Sequence, residues 1–515
     1  MINKTIVIIS AALILCGSNT KLFAKKDFAP DNPNVILIYV DDLGYGDLSC
    51  YGATKVQTPN IDLLAKEGRA FTDAHTASAV CTPSRYALLT GEYPLRCGKS
   101  GTWGPLSHNS PLIINKDKLT LGQIFKDEGY STACIGKWHL GFGEKKCDWS
   151  KPLRPGPLEL GFDSYFGLPK SSSGIPFVLV ENDRLFGWDP KDPIVFHSKH
   201  PSPTPKHPEK SRNSVGGAKK AHELYDDEKL GTMFTERGVR FIKKNKDNPF
   251  FLYFAPTNIH HPFTPAPRFI GTSQCGLYGD FIHELDWMVG ELMNTLDDLK
   301  LKDKTMVIFT SDNGGMYNGG GKEAWKAGHH MNGHLLGFKF GAWEGGHRIP
   351  FIVRWPNHVK PSSKSDQLIC SVDIMATMAD LFNRELKADE AVDSYNIMEA
   401  IVGDPKKPIR DHLIVAAHAR RNLTLRKDNW VYISGQGDGG GTLAGRGGPR
   451  AIGDSKSVNS DINSDGKVKK DAPKQQLYDL NQDPSQKVNI INEHPERAKE
   501  MALLLKQYRT QASTR

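Results

Sequence analysis

The chain has 515 residues, 38% of them hydrophobic and 24% charged, and a formal net charge of +8. This composition excludes a disordered or fibrous chain, and the length is too great for one small core, so one large and one smaller domain are expected. The mild basic excess suits an anionic substrate or simple solubility, and no nucleic-acid partner is expected.

The first stretch, MINKTIVIISAALILCGSNTKLFAKK, sets Lys4 before an apolar run from Ile6 to Leu15 and a polar stretch ending at Ala24. It reads as a signal peptide over residues 1–24, cleaved near Ala24. The run is too short to span a bilayer, and no later run is apolar enough to be a transmembrane segment. Leu15 stands where lipid attachment at Cys16 would want a small residue. The mature protein is therefore expected to be periplasmic or secreted. Seven cysteines then remain: Cys50, Cys81, Cys97, Cys134, Cys147, Cys275 and Cys370. Export permits disulfides, but an odd count leaves at least one cysteine outside intrachain pairing, and none has CxxC metal spacing.

NVILIYV at 34–40 has the pattern of a buried strand. TPNIDLLAKEG follows as a helix, with Thr58 as N-cap, Pro59 at the first helical position and Gly68 as stop. TLGQIFKDEG repeats the scheme from Thr120 to Gly129, and STACIG is the next strand. TMFTERGVRFIKKN is helical and leads into the strand FFLYFA at 250–255. A long amphipathic stretch from Phe281 to Leu299 precedes the strand TMVIFT at 305–310; PFIVRW and the helix-like VDIMATMADLF complete the series. Strands alternating with helices predict an α/β domain over residues 25–409, a mostly parallel central sheet flanked by helices.

From residue 410 the texture changes. HLIVAA, LTLRKDNWVYIS and QQLYDL read as antiparallel strands, and a helix from Pro495 to Tyr508 closes the chain. Residues 410–515 are expected to form a smaller C-terminal α+β domain, with a glycine- and serine-rich surface loop at 435–471.

Polar residues follow each strand of the larger domain. Asp41 and Asp42 follow the first, Gly136, Lys137, Trp138 and His139 the second, His260 and His261 the third, and Asp312 and Asn313 the fourth. In a parallel sheet the C-terminal strand ends meet at one rim, where α/β proteins place ligands. Asp41, Asp42, Asp312 and Asn313 offer only oxygen, which suits a hard cation, Ca²⁺ before Mg²⁺ for so crowded and irregular a set.

CTPSR at 81–85, followed by LLTG at 88–91, resembles the sulfatase signature Cys-x-Pro-Ser-Arg with its trailing Thr-Gly. GKWHLG at 136–141, DNGG, GAWEGGHRIPFIVRWP and the closing LYDLNQDPSQKVNI are similar to further blocks of type I sulfatases, in the same order. The resemblance runs from Asn34 to the C-terminus and implies the alkaline phosphatase-like fold. It implies that a maturation enzyme reads the motif in the unfolded chain and oxidises Cys81 to Cα-formylglycine. The aldehyde hydrates to a diol, one oxygen of which attacks sulfur while the other allows sulfate to leave.

The resemblance assigns roles residue by residue. Cys81, as formylglycine, is nucleophile and metal neighbour, beside one Ca²⁺ held by Asp41, Asp42, Asp312 and Asn313. Arg85 holds the diol, His139 is the base, and Lys137 and Lys339 bind sulfate oxygens. His260, in a His-x-Pro pattern, protonates the leaving alcohol, with a packed or surface role left for His261. The implied substrate is a sulfated carbohydrate. A phosphatase or phosphodiesterase of the same superfamily, a non-catalytic glycan-binding protein and a transferase that passes sulfate to another alcohol are the alternatives.

Two features stay open. DINSDG at 461–466 spaces Asp461, Asn463 and Asp465 like an EF-hand loop, but position twelve is Ala472, so a polar turn competes with a second calcium site. Trp103, His108, Trp325, His329, His330 and His334 lie in loops near the motifs, where either sugar stacking or loop packing would suit them.

Overall fold

A computed structural model describes residues 32–98, 101–196, 215–317, 319–440 and 448–515. The signal peptide expected at 1–24 lies outside the described residues. No helix among the described residues is long and apolar enough to cross a membrane.

The main sheet has ten strands, in chain order β1 (Asn34–Val40), β2 (Arg69–Phe71), β3 (Ser131–Lys137), β4 (Ser164–Leu168), β5 (Val180–Glu181), β6 (Arg184–Leu185), β7 (Phe250–Ala255), β8 (Thr305–Ser311), β9 (Phe351–Arg354) and β10 (Ser363–Ser365). Their spatial order is β10-β2-β9-β8-β1-β7-β3-β4-β5-β6. The five central strands, β8-β1-β7-β3-β4, are parallel. PFIVRW supplies β9, which runs antiparallel to β8 and β2. The sheet is therefore mixed at its margins and parallel where the polar strand ends meet.

Every residue of β1 is buried, because both faces of the sheet are covered. The alternation of the pleat divides it between two cores. Ile36, Ile38 and Val40 join one core with Ile61 and Leu64 of α1 (Pro59–Glu67). Val35, Leu37 and Tyr39 join the other with Leu88 and Leu89 of α2 (Cys81–Thr90) and Leu121, Ile124 and Phe125 of α3 (Leu121–Asp127). The first core also takes Phe234 and Ile242 of α4 (Leu230–Lys244) and Leu285, Met288, Val289 and Leu292 of α5 (Leu277–Asp298). Met375 and Met378 of α6 (Ile374–Leu381) extend the second.

One local expectation is met by a different atom. Thr58 precedes α1, but its hydroxyl bonds Asp62 and Ser49 instead of capping the helix. The cap comes from α5: Asp286 accepts the amides of Asn60 at 3.2 Å and Ile61 at 2.9 Å.

The C-terminal sheet is antiparallel, in the order β11 (His412–Ala416), β12 (Leu423–Lys427), β13 (Trp430–Ile433), β14 (Gln476–Asp479). The glycine- and serine-rich stretch is not only surface loop. It contains the short helix α7 (Pro449–Asp454), and Ala451, Ile452 and Ile462 pack with Val431, Ile433 and Tyr478. The opposite face packs on Ala498, Met501 and Leu505 of α8 (Pro495–Thr510) and on Ala77, Ala87 and Tyr93 of the larger region. Arg426 of β12 reaches Asp73 at 3.1 Å across the same junction.

The seven cysteines of the described residues are all free thiols. Asp461 accepts from Ser460 and Asn489, and Asp465 pairs with Lys467 at 2.7 Å. Asn463 closes the turn by accepting the amide of Gly466 and donating its own to Lys467. The polar-turn reading is the one this geometry fits.

Candidate active site

The ends of β1, β3, β7 and β8 converge as their parallel register requires. Asp41 and Asp42 leave β1, and Asp42 takes a left-handed φ of 64°. His139, beyond β3, has a φ of 56°. Such conformations cost about 1–3 kcal/mol each in a non-glycine residue and are tolerated where the surroundings over-determine them. Within β3, Gly136 has a φ of 112°, and a Cβ there would meet the carbonyl oxygen of Ala255 at 2.0 Å. Only glycine lets β3 turn toward the rim so close to β7.

Three carboxylates face three cations, all buried. Lys137 Nζ donates to Asp41 Oδ2 at 2.6 Å. Lys339 Nζ donates to Asp42 Oδ1. Arg85 donates to Asp312 Oδ2, and its Nη1 reaches the Lys137 carbonyl at 3.4 Å and the Tyr253 hydroxyl at 3.3 Å. Asn313 Nδ2 donates to Asp42 Oδ1 at 2.9 Å. The opposite oxygens, Asp41 Oδ1, Asp42 Oδ2 and Asn313 Oδ1, are buried with no hydrogen-bond partner.

Orphaned buried acceptors are costly. They belong to residues gathered in one place: one carboxylate oxygen from each of Asp41, Asp42 and Asp312 lies within 4.8 Å of the others. Burial, then Asp41, pushes the Asp312 carboxyl up, against the pull of Arg85. With the protein's own charges balanced three against three, a divalent ion at the orphaned oxygens would leave the site positive toward an anionic ester. The all-oxygen set fits a hard cation and not zinc.

Cys81 begins α2 beside this cluster. Its Sγ lies 3.5 Å from His139 Nδ1, and Thr82 Oγ1 donates to the His139 carbonyl at 3.1 Å. His139 Nε2 is 3.3 Å from the Leu106 carbonyl. A proton on Nε2 satisfies that carbonyl, which leaves Nδ1 an acceptor facing Cys81. Burial, then Lys137, holds His139 well below the usual histidine range. Burial also raises the Cys81 thiol.

His260 sits across the cavity. Its Nδ1 donates to the His261 carbonyl at 2.6 Å, so Nε2 is the free edge, 3.8 Å from Asp42 Oδ2. Burial, then Lys339, depresses it. Cys81, His139, His260, His261 and Lys339 line one cavity of about 90 Å³ with Pro105, Lys170, Ser171, Ser173, Met316 and Phe340. Lys137 is not among the residues that line it; it pairs with Asp41, and its charge acts on Cys81 and His139.

Sequence reading did not single out Lys170, Ser171, Ser173, Met316 or Phe340. The first three follow β4, one strand beyond the segments with evident motifs. It also passed over Asn332, whose Oδ1 accepts the Gly315 amide at 2.8 Å and whose Nδ2 donates to the Gly337 carbonyl at 3.0 Å. That amide ties the segment after Asp312 and Asn313 to the one carrying Lys339. Among the loop residues left open, His329 is buried on Asp47 at 2.7 Å, and Trp325 packs on His330 and Phe338. His108 stacks on Phe196, Trp103 lies under Arg420, and His334 is exposed at the surface. None of these six residues lines the cavity.

The model of the family described as Sulfatase matches residues 33–384. The chain belongs to the sulfatase family. It is a sulfuric ester hydrolase of the alkaline phosphatase-like superfamily, and the phosphatase and non-catalytic alternatives give way. An N-acetylgalactosamine-6-O-sulfatase of Bacteroides thetaiotaomicron is 37% identical over 541 residues, covering 99% of each chain. Human steryl-sulfatase is 30% identical, covering 78% of this chain and 75% of that one. A solved sulfatase structure from work on glycosaminoglycan metabolism by B. thetaiotaomicron superposes with a TM-score of 0.82 at 37% identity, covering 94% of this chain and all of the other. A phosphonate monoester hydrolase of Agrobacterium radiobacter, TM-score 0.58 at 17% identity, shares the fold.

Proposed function

We propose that this sulfatase removes the 6-O-sulfate of N-acetylgalactosamine units in sulfated glycans, after export under a signal peptide at residues 1–24. The observation that carries the substrate is the end-to-end match, at 37% identity, to a relative of that named specificity. The cavity is compatible in kind: about 90 Å³ holds a sulfate ester and the carbon that bears it, and Met316 and Phe340 give it an apolar wall.

In this reading a maturation enzyme converts Cys81 to formylglycine, whose hydrate supplies a hydroxyl nucleophile. Calcium, held by Asp41, Asp42, Asp312, Asn313 and the modified Cys81, would supply positive charge beside the sulfate. The chain's own groups do the rest. Lys339 from the cavity wall and Lys137 from beside Asp41 meet the sulfate oxygens. Arg85 holds Asp312 and the C-terminal end of β3 in place beneath residue 81. His139 Nδ1 takes a proton from the hydroxyl at position 81, a role for which its depressed basicity keeps it unprotonated at neutral pH. His260 Nε2 gives a proton to the departing sugar oxygen, and the arriving anionic ester offsets the Lys339 charge that disfavours its protonation.

Sulfate release from N-acetylgalactosamine 6-sulfate, N-acetylgalactosamine 4-sulfate and N-acetylglucosamine 6-sulfate tests the assignment. Turnover of the first at least tenfold above the others is expected; a preference for either of the others overturns it.

A further inference from the structure

We propose that the hairpin 417–422 of the C-terminal sheet forms an anion subsite beside the cavity, where Arg420 binds a carboxylate or sulfate on a sugar next to the one desulfated. The proposal rests on the glycan-sulfatase reading and extends it to how a chain longer than one sugar is held.

The hairpin joins β11 to β12 and reaches the cavity wall directly. Phe340 lines the cavity, and its carbonyl accepts the amide of His418 at 3.0 Å. The His418 ring stands edge-on to the Phe340 ring at 5.8 Å. Pro105 also lines the cavity, and a Cβ added to the preceding Gly104 would lie 3.2 Å from His418 Nε2. The hairpin and the segment 103–105 are therefore one continuous rim.

On that rim sit two exposed arginines, Arg420 and Arg421. Among the described residues neither has a carboxylate partner. The Arg420 guanidinium lies 6.0 Å from the centre of the Trp103 ring, which restrains it without neutralising it. The hairpin itself is held: Ala419 N donates to Gly439 O at 2.9 Å, and Asn422 Nδ2 donates to the Gln436 carbonyl at 3.0 Å. A rigid loop presenting unpaired guanidinium groups beside an anion-processing cavity suits fork-like recognition of a second anionic group.

The test compares kcat/KM on the 6-sulfated monosaccharide and on a hexasaccharide of alternating uronate and 6-sulfated N-acetylgalactosamine. Arg420→Gln combined with Arg421→Gln should lower kcat/KM on the hexasaccharide about tenfold and change the monosaccharide less than twofold. Reducing the uronate carboxyls to alcohols tells the anions apart: loss of the effect names the carboxylate, and its persistence names sulfate. Equal losses on both substrates, or no loss on the hexasaccharide, overturn the subsite. Should the unaltered enzyme release no sulfate from either sugar, the glycan reading fails by itself. Hexasaccharide affinity of the Cys81→Ser protein, with and without the two arginine replacements, then still decides the subsite.

Discussion

Arg85 donates twice to a single oxygen of Asp312, through Nε at 3.1 Å and Nη2 at 2.7 Å. Both residues are fully buried, and they join the middle of α2 to the residue that follows β8. The pair fixes where residue 81 stands relative to the carboxylates, and it leaves Asp312 Oδ1 turned toward the backbone amide of Asp42.

Breaking this pair should therefore be costly and partly reversible by a cation. In calcium-free protein, Arg85→Ala leaves Asp312 against Asp41 with its main counter-charge gone, and the unfolding free energy should fall by about 3–5 kcal/mol. Added calcium should restore part of the loss, because binding to the native state alone stabilises it. Urea denaturation midpoints with and without calcium measure both effects. A loss that calcium leaves untouched means Asp312 is not a ligand.

Conversion of Cys81 should be visible by mass. The active-site peptide is expected to be about 18 Da lighter than its cysteine form, the difference between a thiol and an aldehyde at that carbon. Cys81→Ser should keep substrate binding and lose turnover, because serine carries one hydroxyl where the hydrated aldehyde carries two. Full activity from protein that holds only the unmodified thiol would contradict the mechanism.

A carboxyl away from the cavity gives a pH signature. Burial pushes Glu284 on α5 up to about 7, although Asn258 and the Ala266 amide donate to it. Asn258 in turn receives the Asp41 amide on its carbonyl, so Glu284 supports the turn that carries His260. In the unfolded chain the group ionises near 4.5. The folded state thus holds the extra proton between these values. The stability linked to it is complete below about pH 4.5 and is lost as the pH rises through about 7. Glu284→Gln should match the parent protein at low pH and exceed it by up to about 3 kcal/mol above neutrality, read from denaturation midpoints across that range. A constant difference at every pH means the carboxyl ionises normally in the fold.

What was legible in the sequence followed local rules. Unbroken apolar runs marked the strands, and polar residues after each run marked the rim, so Asp41, Asp42, His139, His260 and Asp312 were found without coordinates. What was not legible depends on partners far along the chain. Asp286 caps a helix 225 positions away, at Ile61, and no local pattern predicts that. Lys137 ends its strand as a sulfate-binding lysine would, but its partner Asp41 lies 96 positions away, which no local pattern reveals. The hairpin 417–422 meets Phe340 only because the C-terminal sheet docks there. Ile452 and Ile462 looked too sparse to pack, since the sheet face that they join was not visible from composition.

The choice between the paired histidines can be decided by leaving group. A sugar alkoxide is a poor leaving group, so the S–O bond breaks readily only if a proton arrives with it. A phenolate needs far less help. His260 has its Nδ1 hydrogen committed to the His261 carbonyl, and Nε2 faces the carboxylate cluster. The ring is buried, so a proton on Nε2 has the substrate as its natural acceptor. His261 lines the same cavity but is more exposed, its ring stacked on that of His260 at 4.5 Å. General-acid help is typically worth ~10²–10⁴-fold. His260→Ala should therefore lose about that factor on a sugar sulfate and much less on an activated aryl sulfate. His261→Ala should lose less, and by the same factor on both. Equal losses on both substrates for His260→Ala would make that ring a positioning group, and a leaving-group-dependent loss for His261→Ala would transfer the proton donor to its neighbour.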